Sequence, residues 1–325
     1  MKHFFSVDWG TSSFRLRLVK TEQKNVKILH EVTDSMGIAI IYALWETQKT
    51  ESSNRIEFYI NFLAQKINEI KSVQSGDFEK IPVVISGMAS SSIGIKELSY
   101  SPLPFAMDGT HLNYDLIKNI SCFPHTIILV SGVCCENDVM RGEEIQLIGC
   151  YSDTNSNRNN LYIFPGTHSK HIWVKDRQAI AFKTYMTGEL FHLLTTHSIL
   201  KNSINKSDLI NETHFKAGVK YSAACNLLGS LFSVRTNDIL KRMDKSANYS
   251  FLSGLLIGYE LGSLKDSDCD LFLCGHSNLS QSYLIALQEL GLTDRIIHLP
   301  VETVDRSVVI GHMKLLTFIL NNIAS

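Results

Sequence analysis

The first residues that could do chemistry lie in a glycine turn close to the start of the chain. A strand-like run leads into Asp8-Trp9-Gly10-Thr11-Ser12-Ser13. Glycine has no side chain to obstruct a ligand, and the amides and hydroxyls that follow it can form a concave anion site. Asp8 would repel a polyphosphate unless a cation lay between them, and Mg²⁺ commonly uses one or two carboxylates in this way. The residues alone leave two interpretations open, a phosphate site or an ordinary hairpin turn.

A second and a third glycine turn follow later in the chain. The second lies between strand-like runs and contains Gly166-Thr167-His168. Two such turns could hold the phosphates of a nucleotide from both sides. The third, Gly275-His276-Ser277, follows a strand-like run and opens a helix. Helix N-termini attract anions and can pack against an adenine-ribose unit, although a plain strand-helix connection explains this third turn equally well.

An acidic segment precedes the second turn and contains Asp138, Glu143 and Glu144. Asp138 could cap a helix that begins near it, and acidic residues suit the first turn of a helix. Alternatively, one of these carboxylates could accept the proton of a substrate hydroxyl, which accelerates a reaction by about 10²–10⁴-fold. The pattern does not choose among the three.

Histidine and cysteine do not predict a metal centre. His168 and His171 lack further ligands nearby, and His192 and His197 are five residues apart, so they do not share a helix face. The seven cysteines are odd in number and form no zinc-type pairs. Reduced thiols of a cytosolic protein are the simplest interpretation.

Composition excludes several classes of partner. The chain has 325 residues, 31 Lys and Arg against 32 Asp and Glu, and a net charge of −1. This balance predicts neither nucleic acid nor an anionic membrane as partner. The charged N-terminus does not resemble a signal peptide, and no apolar run approaches the roughly 18 residues that cross a bilayer. We therefore expect a cytoplasmic protein with small-molecule ligands; a homodimer is one assembly that the sequence leaves open.

Hydrophobic periodicity predicts the same order of elements, β-β-β-α-β-α-β, in each half of the chain. In the first half, the predicted strands are His3–Val7, Phe14–Val19, Val26–Val32, Ile81–Ile85 and Thr126–Val130, and the helices cover residues 56–70 and, weakly, 112–117. In the second half, a loop over Ser152–Asn160 is followed by strands Leu161–Phe164, His171–Val174, Ala179–Met186, Asp270–Cys274 and Arg295–Leu299, and by helices Glu189–Leu200, Phe215–Phe232, Tyr249–Leu264, Gln281–Leu290 and Ser307–Ile323.

This repeated order predicts an α/β protein of two lobes, each with a mixed sheet flanked by helices. Two lobes would create a central cleft, and small ligands commonly bind in clefts. We place the boundary between residues 138 and 139, so that the lobes cover residues 1–138 and 139–325.

Several segments together resemble one enzyme family. They are VDWGTSSFRLRL, SGMASSSIG, DVMRGEEIQLIG, FPGTHSKHIWV, MTGELFHLLTTHSIL and FLSGLLIGYEL. In their order they are similar to the 2-dehydro-3-deoxygalactonokinase family of the acetate and sugar kinase/actin superfamily, whose lobes are ribonuclease-H-like. The resemblance implies ATP-dependent phosphorylation of 2-dehydro-3-deoxy-D-galactonate at its 6-hydroxyl, with Mg²⁺, in D-galactonate breakdown.

The resemblance also implies roles for residues. Asp8 to Ser13 would be the first phosphate motif, Gly166 to His168 the second, and Gly275 to Ser277 the adenosine motif. Glu143 is the first choice for the catalytic base and Asp138 the second. The N-terminal lobe would bind the sugar acid. The candidate substrate contacts are Gly87, Met88, Ser90, Arg15 and, just beyond the lobe boundary, Arg141.

Two of these assignments leave alternatives. Either arginine could pair with the substrate carboxylate or with developing charge, but Arg15 is equally well explained as a strand residue. The segment Ser90–Ile93 lacks the basic and aromatic residues associated with the family. A kinase for another 2-keto-3-deoxy sugar acid or sugar therefore remains an alternative, as does a catalytically silent nucleotide-binding regulator.

Overall fold

The structure is a computed structural model that describes residues 2–22, 25–51, 53–120, 123–152, 159–207, 209–224, 226–275 and 277–324. Contacts divide the chain into two compact units. The first comprises Met1–Asp153, Asp176–Ala181 and Glu302–Ser325, and the second Thr154–Lys175 and Phe182–Val301. The two units alternate along the chain, because the first also includes residues 176–181 and 302–325. The predicted boundary between residues 138 and 139, which divides the chain by function, stays a prediction.

The first unit is built on a mixed sheet with the strand order β3-β2-β1-β4-β8-β7. β1 pairs antiparallel with β2 and parallel with β4, which in turn pairs parallel with β8. The strands are β1 (His3–Trp9), β2 (Phe14–Glu22), β3 (Asn25–Asp34), β4 (Val83–Gly87), β5 (Ser101–Pro102), β6 (Phe105–Ala106), β7 (Tyr114–Ile117), β8 (Ile127–Val130), β9 (Val133–Cys135) and β10 (Asp138–Met140), of which β10, β9 and β5 form a separate small sheet.

Helices of the first unit pack an apolar face onto this sheet. They are α1 (Ile38–Gln48), α2 (Arg55–Val73), α3 (Glu143–Cys150) and α10 (Val301–Ala324). In α2 the predicted stripe is buried and comprises Tyr59, Ile60, Leu63, Ile67 and Ile70. Burying each such side chain contributes about 1.5–3 kcal/mol. The side chain of Asn54 starts the helix by accepting a hydrogen bond from the amide of Ile56.

The second unit repeats this strand order as β15-β14-β11-β12-β13. β11 pairs antiparallel with β12 and parallel with β14, which pairs parallel with β15. Its elements are β11 (Asn159–Phe164), β12 (Ser169–Lys175), β13 (Gln178–Tyr185), α4 (Thr187–Thr196), α5 (Glu212–Ser222), α6 (Leu227–Leu231), α7 (Ser233–Ile239), α8 (Lys245–Leu261), β14 (Cys269–Leu273), α9 (Ser277–Glu289) and β15 (Ile296–His298). The predicted α/β class, with mixed sheets in two ribonuclease-H-like halves, is confirmed.

Three element predictions are wrong. Residues 114–117 form β7 rather than a helix, because they pair antiparallel with β8 at the edge of the sheet. The helix predicted over Phe215–Phe232 ends at Ser222, and α6 starts anew because the side chain of Asn226 caps it. No helix begins at Asp138, which opens β10; the next helix, α3, starts at Glu143.

Some predictions fall outside or beyond these elements. Most of the predicted loop over Ser152–Asn160 lies outside the described residues, and β11 already begins at Asn159. Helices α1 and α7 and the short strands β5, β6, β9 and β10 were not predicted from the sequence. Within the described part of the chain, no helix is long and apolar enough to cross a membrane.

Candidate active site

Asp8 lies near the carboxyl end of β1, between two neighbouring strands. Its register partners are Arg15 in β2 and Ser86 in β4. Burial raises the pKa of Asp8, and the negative charge of Glu143 raises it further, while the charges of Arg15 and Arg17 act in the opposite direction. Arg15 is thus the cross-strand neighbour of Asp8, and Glu143 is close enough to interact with Asp8 electrostatically.

The turn after β1 is a hairpin connection with an exposed rim. The amide of Gly10 donates to the carbonyl of Ser13 at 2.9 Å. Thr11, Ser12 and Ser13 are exposed, and among the described residues we find no acceptor for their three amides. Both interpretations of this turn therefore fit its geometry, because a hairpin is present and its rim offers donors to an anion.

A helix backs directly onto this turn. The first amides of α1, those of Ile38 and Ala39, donate to the carbonyls of Gly10 and Thr11 at 3.0 and 3.1 Å. A Cβ on Gly37 would lie 2.4 Å from the Thr11 carbonyl oxygen, so the approach requires glycine at that position. The sequence analysis missed Gly37, because only the folded backbone brings it against the turn.

Glu143 is placed by two glycines of positive φ. Gly87 ends β4 with φ +86°, and a Cβ at this position would lie 2.7 Å from the Trp9 carbonyl oxygen. Gly142, with φ +110°, precedes α3, and a Cβ there would lie 3.6 Å from the Cα of Gly87. The start of α3 therefore adjoins the ends of β1 and β4, which explains the electrostatic proximity of Glu143 to Asp8.

The other two candidate carboxylates have different surroundings. Glu144 is fully buried; burial, and next the charge of Glu143, raise its pKa to about 8. Its oxygens accept from the amide of Gly142 at 2.9 and 2.7 Å. Asp138 opens β10, and its carboxylate accepts from the amide of Val139 at 2.8 Å. Of the three, the structure shows an interaction with Asp8 for Glu143.

The predicted substrate contacts around β4 are largely engaged with one another. Ser90 is fully buried, and its carbonyl accepts from Nη1 of Arg141 at 2.8 Å; its hydroxyl also contacts this nitrogen. The guanidinium lies 4.3 Å from the ring centroid of Tyr100, which adds a cation–π contact. Met88 packs against the core of the first unit. Arg141 is thus held rigidly by protein groups.

The second unit repeats the turn-and-helix arrangement. The amide of Glu189, in α4, donates to the carbonyl of Thr167 at 3.0 Å. A Cβ on Gly188 would lie 2.6 Å from the Gly166 carbonyl oxygen. Thr167 and His168 are exposed, and Nε2 of His168 contacts the carboxylate of Glu189. Gly188, the second residue of α4, therefore supports the turn here as Gly37 does before α1 in the first unit.

A pocket of about 430 Å³ adjoins this turn. Its walls combine the turn with side chains of α4, α8 and α9, and they comprise Gly166, Thr167, Thr187, Gly188, Phe191, Ser253, Leu256, Ile257, Leu279 and Tyr283. The lining is mainly apolar and includes a few hydroxyl groups, which is the usual character of a small-molecule site. The sequence analysis missed every residue of it except Gly166 and Thr167.

The third turn lies beside the second. Gly275 leaves no room for a side chain, since a Cβ there would lie 2.3 Å from the Ser280 hydroxyl and 3.3 Å from the ring of Pro165. His276 lies outside the described residues, as do the surroundings of the Ser277 side chain, and α9 begins at Ser277. Gly275 therefore brings the start of α9 against the turn that begins at Pro165.

Comparison with known proteins identifies the family. Residues 8–307 match the 2-keto-3-deoxy-galactonokinase family. A 2-dehydro-3-deoxygalactonokinase of Escherichia coli K12 is 33% identical over 221 residues, 66% of this chain and 72% of that protein. A probable 2-dehydro-3-deoxygalactonokinase of Rhizobium meliloti is 28% identical over 306 residues, covering 91% and 92%.

A solved structure agrees with these matches. The crystal structure of a candidate 2-dehydro-3-deoxygalactonokinase from Sinorhizobium meliloti superimposes with a TM-score of 0.76 at 28% identity, covering 96% of this chain and 95% of that one. The family predicted from the sequence motifs is confirmed, and so is the class of enzyme, a sugar-acid kinase. The chain belongs to the 2-keto-3-deoxy-galactonokinase family.

Proposed function

We propose that this protein transfers the γ-phosphoryl group of ATP to the 6-hydroxyl of 2-dehydro-3-deoxy-D-galactonate, releasing ADP and the 6-phosphate ester. The observation that carries the proposal is the approach of Glu143 to Asp8 at the carboxyl ends of β1 and β4. Family membership supports the same reaction. Phosphoryl transfer depends mainly on positioning and on electrostatic stabilisation of charge, and this constellation supplies groups for both.

Glu143 is the proposed base. Its position on the first turn of α3 is fixed by Gly142, and the amide of Arg141 donates to its Oε2 at 3.0 Å. In the proposed step its carboxylate takes the proton of the 6-hydroxyl while the oxygen bonds to the γ-phosphorus and ADP leaves. The guanidinium of Arg141, which contacts Ser90, is a planar cation that suits the substrate carboxylate.

Mg²⁺ fits the donors of this site. The described residues contain no group of three or more His, Cys, Asp or Glu side chains that could hold a metal. Asp8 supplies one carboxylate, and Mg²⁺ commonly uses one or two carboxylates while water and substrate phosphates complete its shell. Asp8 would hold the ion through water, and the ion would neutralise phosphate charge.

The nucleotide is assigned to the 430 Å³ pocket of the second unit. Its apolar part, which includes Phe191 and Leu256, suits adenine, and the Gly166–Thr167 turn suits phosphates. The exposed amides of the Gly10–Ser13 turn are assigned to phosphate as well. The proposed domain roles are sugar-acid binding and the first phosphate motif in residues 1–138 and nucleotide binding in residues 139–325, with Arg141 and Glu143 acting on the sugar acid from the second range.

A substrate panel tests the reaction. ADP release is measured with 2-dehydro-3-deoxy-D-galactonate, with its 2-keto-3-deoxy-D-gluconate epimer and with glucose. We expect kcat/KM to be highest for the first compound. Turnover that is equal for glucose would refute the sugar-acid assignment, and nucleotide binding without turnover on any sugar acid would favour the silent regulator instead.

Three variants test the roles of the carboxylates. Glu143→Gln should lower kcat by about 10²–10⁴-fold, the usual worth of a positioned base, with ADP binding retained. Asp138→Asn is the matched control, because Asp138 is the second candidate and is not among the charges that shift the pKa of Asp8. The ranking is reversed if Asp138→Asn is inactive while Glu143→Gln is near wild type. Asp8→Ala should abolish turnover in a folded protein.

A further inference from the structure

One buried carboxylate gathers hydrogen bonds beneath the second phosphate turn. Glu260, on α8, is 3% exposed. Its Oε1 lies 3.0 Å from Nε2 of His171, and its Oε2 accepts from the hydroxyl of Tyr283 at 2.6 Å and from the hydroxyl of Thr187. Side chains from β12, α9 and α4 therefore all contact the carboxylate of Glu260. These hydrogen bonds offset the free-energy cost of burying its charge.

The same network continues to the turn itself. The hydroxyl of Tyr283 lies 2.7 Å from the hydroxyl of Ser169, whose Oγ lies 3.4 Å from the amide of Gly166. Burial and the neighbouring charge of Glu260 hold the pKa of Tyr283 well above its usual range. Tyr283 thus keeps its proton and donates it to Glu260, so Ser169 donates to Tyr283 and the Gly166 amide donates to Ser169.

The carboxylate itself is not part of the pocket wall, whereas two of its partners are. Thr187 and Tyr283 line the 430 Å³ pocket, and Gly166 forms its turn. Every hydrogen bond in the series points toward Glu260, and hydrogen bonds to a charged acceptor are stronger than those between neutral groups. A change at the carboxylate therefore reaches the turn through two intermediate hydroxyls.

We propose that Glu260 is a positioning residue for the nucleotide, acting through Tyr283 and Ser169 to fix the Gly166–Thr167 turn and through Thr187 to fix the start of α4. This inference rests on the assignment of the nucleotide to that pocket. It predicts that nucleotide affinity depends on hydroxyl groups that contribute little contact area of their own. It also predicts that sugar-acid binding is unaffected, since the network lies wholly in the second unit.

Tyr283→Phe is the sharpest test, because it keeps the ring that lines the pocket and removes only the hydroxyl. The probe is ADP alone, titrated by calorimetry against the full-length protein without sugar acid. We expect ADP to bind about tenfold more weakly, as for the loss of one hydrogen bond to a charged group. The KM for ATP should rise by a similar factor, with the KM for the sugar acid unchanged.

Tyr259→Phe is the matched control. It removes a hydroxyl that bonds to Ser230 at 2.9 Å, in the same unit and on the same helix as Glu260. ADP affinity should stay at the wild-type value. Glu260→Gln keeps one acceptor oxygen and should weaken ADP binding less than Tyr283→Phe does.

The outcomes separate the two proposals. If wild-type protein binds no ADP, the proposed function is wrong and the inference fails with it. If wild type binds ADP and Tyr283→Phe binds it equally well, the positioning role alone is refuted. Should Tyr283→Phe not fold, Ser169→Ala interrupts the same series at its middle and is judged by the same ADP titration.

Discussion

Glu144 is a buried carboxyl group, and its uptake of a proton on folding should make the free energy of unfolding depend on pH. Its side chain is fully buried in α3, and burial raises its pKa from 4.5 to about 8. The hydrogen bonds from the Gly142 amide only partly offset this burial. Because the unfolded chain has the lower value, folding near neutral pH requires Glu144 to take up a proton.

The sign of the effect follows from the order of the two pKa values. Below pH 4.5 Glu144 is protonated in both the native and the unfolded state, so its ionisation does not reduce the free energy of unfolding. As the pH rises from 4.5 toward 8, the unfolded state loses this proton while the native state keeps it, and the free energy of unfolding falls. Each pH unit within this window lowers the free energy of unfolding by about 1.36 kcal/mol. At pH 7 the proton uptake therefore opposes folding by about 3 kcal/mol.

Glu144→Gln removes the titrating group and keeps one oxygen for the Gly142 amide. Relative to wild type, the variant should gain about 3 kcal/mol between pH 4.5 and pH 7. Urea unfolding at pH 4.5, 6, 7 and 8 measures this difference, provided that the m-value stays constant. Glu57→Gln, at an exposed site in α2, is the control. A Glu144→Gln difference that does not vary with pH would refute the reasoning.

Three further perturbations probe other contacts. His312 is fully buried, and burial lowers its pKa from 6.5 to about 3. The free energy of unfolding should therefore fall as the pH drops from 6.5 toward 3. Urea unfolding of His312→Gln should lack this dependence on acid pH. Gly149→Ala would place a Cβ 1.8 Å from the Ser307 carbonyl oxygen; we expect a loss of about 1–3 kcal/mol, and an unchanged thermal midpoint would contradict the close packing of α3 on α10. Gly188→Ala would place a Cβ 2.6 Å from the Gly166 carbonyl oxygen; weaker ADP binding in calorimetry is expected, and unaltered binding would argue against support of the turn by α4.

Glu144 and His312 should mask each other in the wild-type protein. Between pH 4.5 and 6.5 the native state holds a proton on Glu144 that the unfolded state lacks, whereas the unfolded state holds one on His312 that the native state lacks. The two slopes have opposite sign and nearly equal size. The wild-type stability profile should be flat there with respect to these groups, so only the single variants separate them.

Local sequence patterns predicted the helices and strands in which buried residues recur at the spacing of that element or form one continuous run. The stripe of α2 has five buried residues at helical spacing, and β4 is buried throughout, so both were predictable from hydrophobicity. The edge strand β7 was not, because all four of its residues are only half-buried. A short apolar run of that kind has no periodicity that distinguishes a strand from a helix.

The candidate site was predictable where one segment forms it and unpredictable where two segments meet. Asp8 and the Gly10–Ser13 turn follow from a strand that ends in glycine and hydroxyl residues. The family resemblance already ranked Glu143 before Asp138, but the contact that favours Glu143, the approach of Gly142 to Gly87, joins segments more than fifty residues apart in the chain. A local pattern cannot contain such a contact, since it exists only after β4 and α3 have packed.

The support of both turns by helices shows why such contacts matter for function. In each unit a glycine lets the first amides of a helix donate hydrogen bonds to a proposed phosphate turn; the glycine is Gly37 in the first unit and Gly188 in the second. Carbonyls that are occupied in this way cannot turn toward an anion, so the remaining amides of the turn can face it. The chemistry of the turns therefore depends on glycines that lie outside them, at positions where the sequence shows only an ordinary helix start.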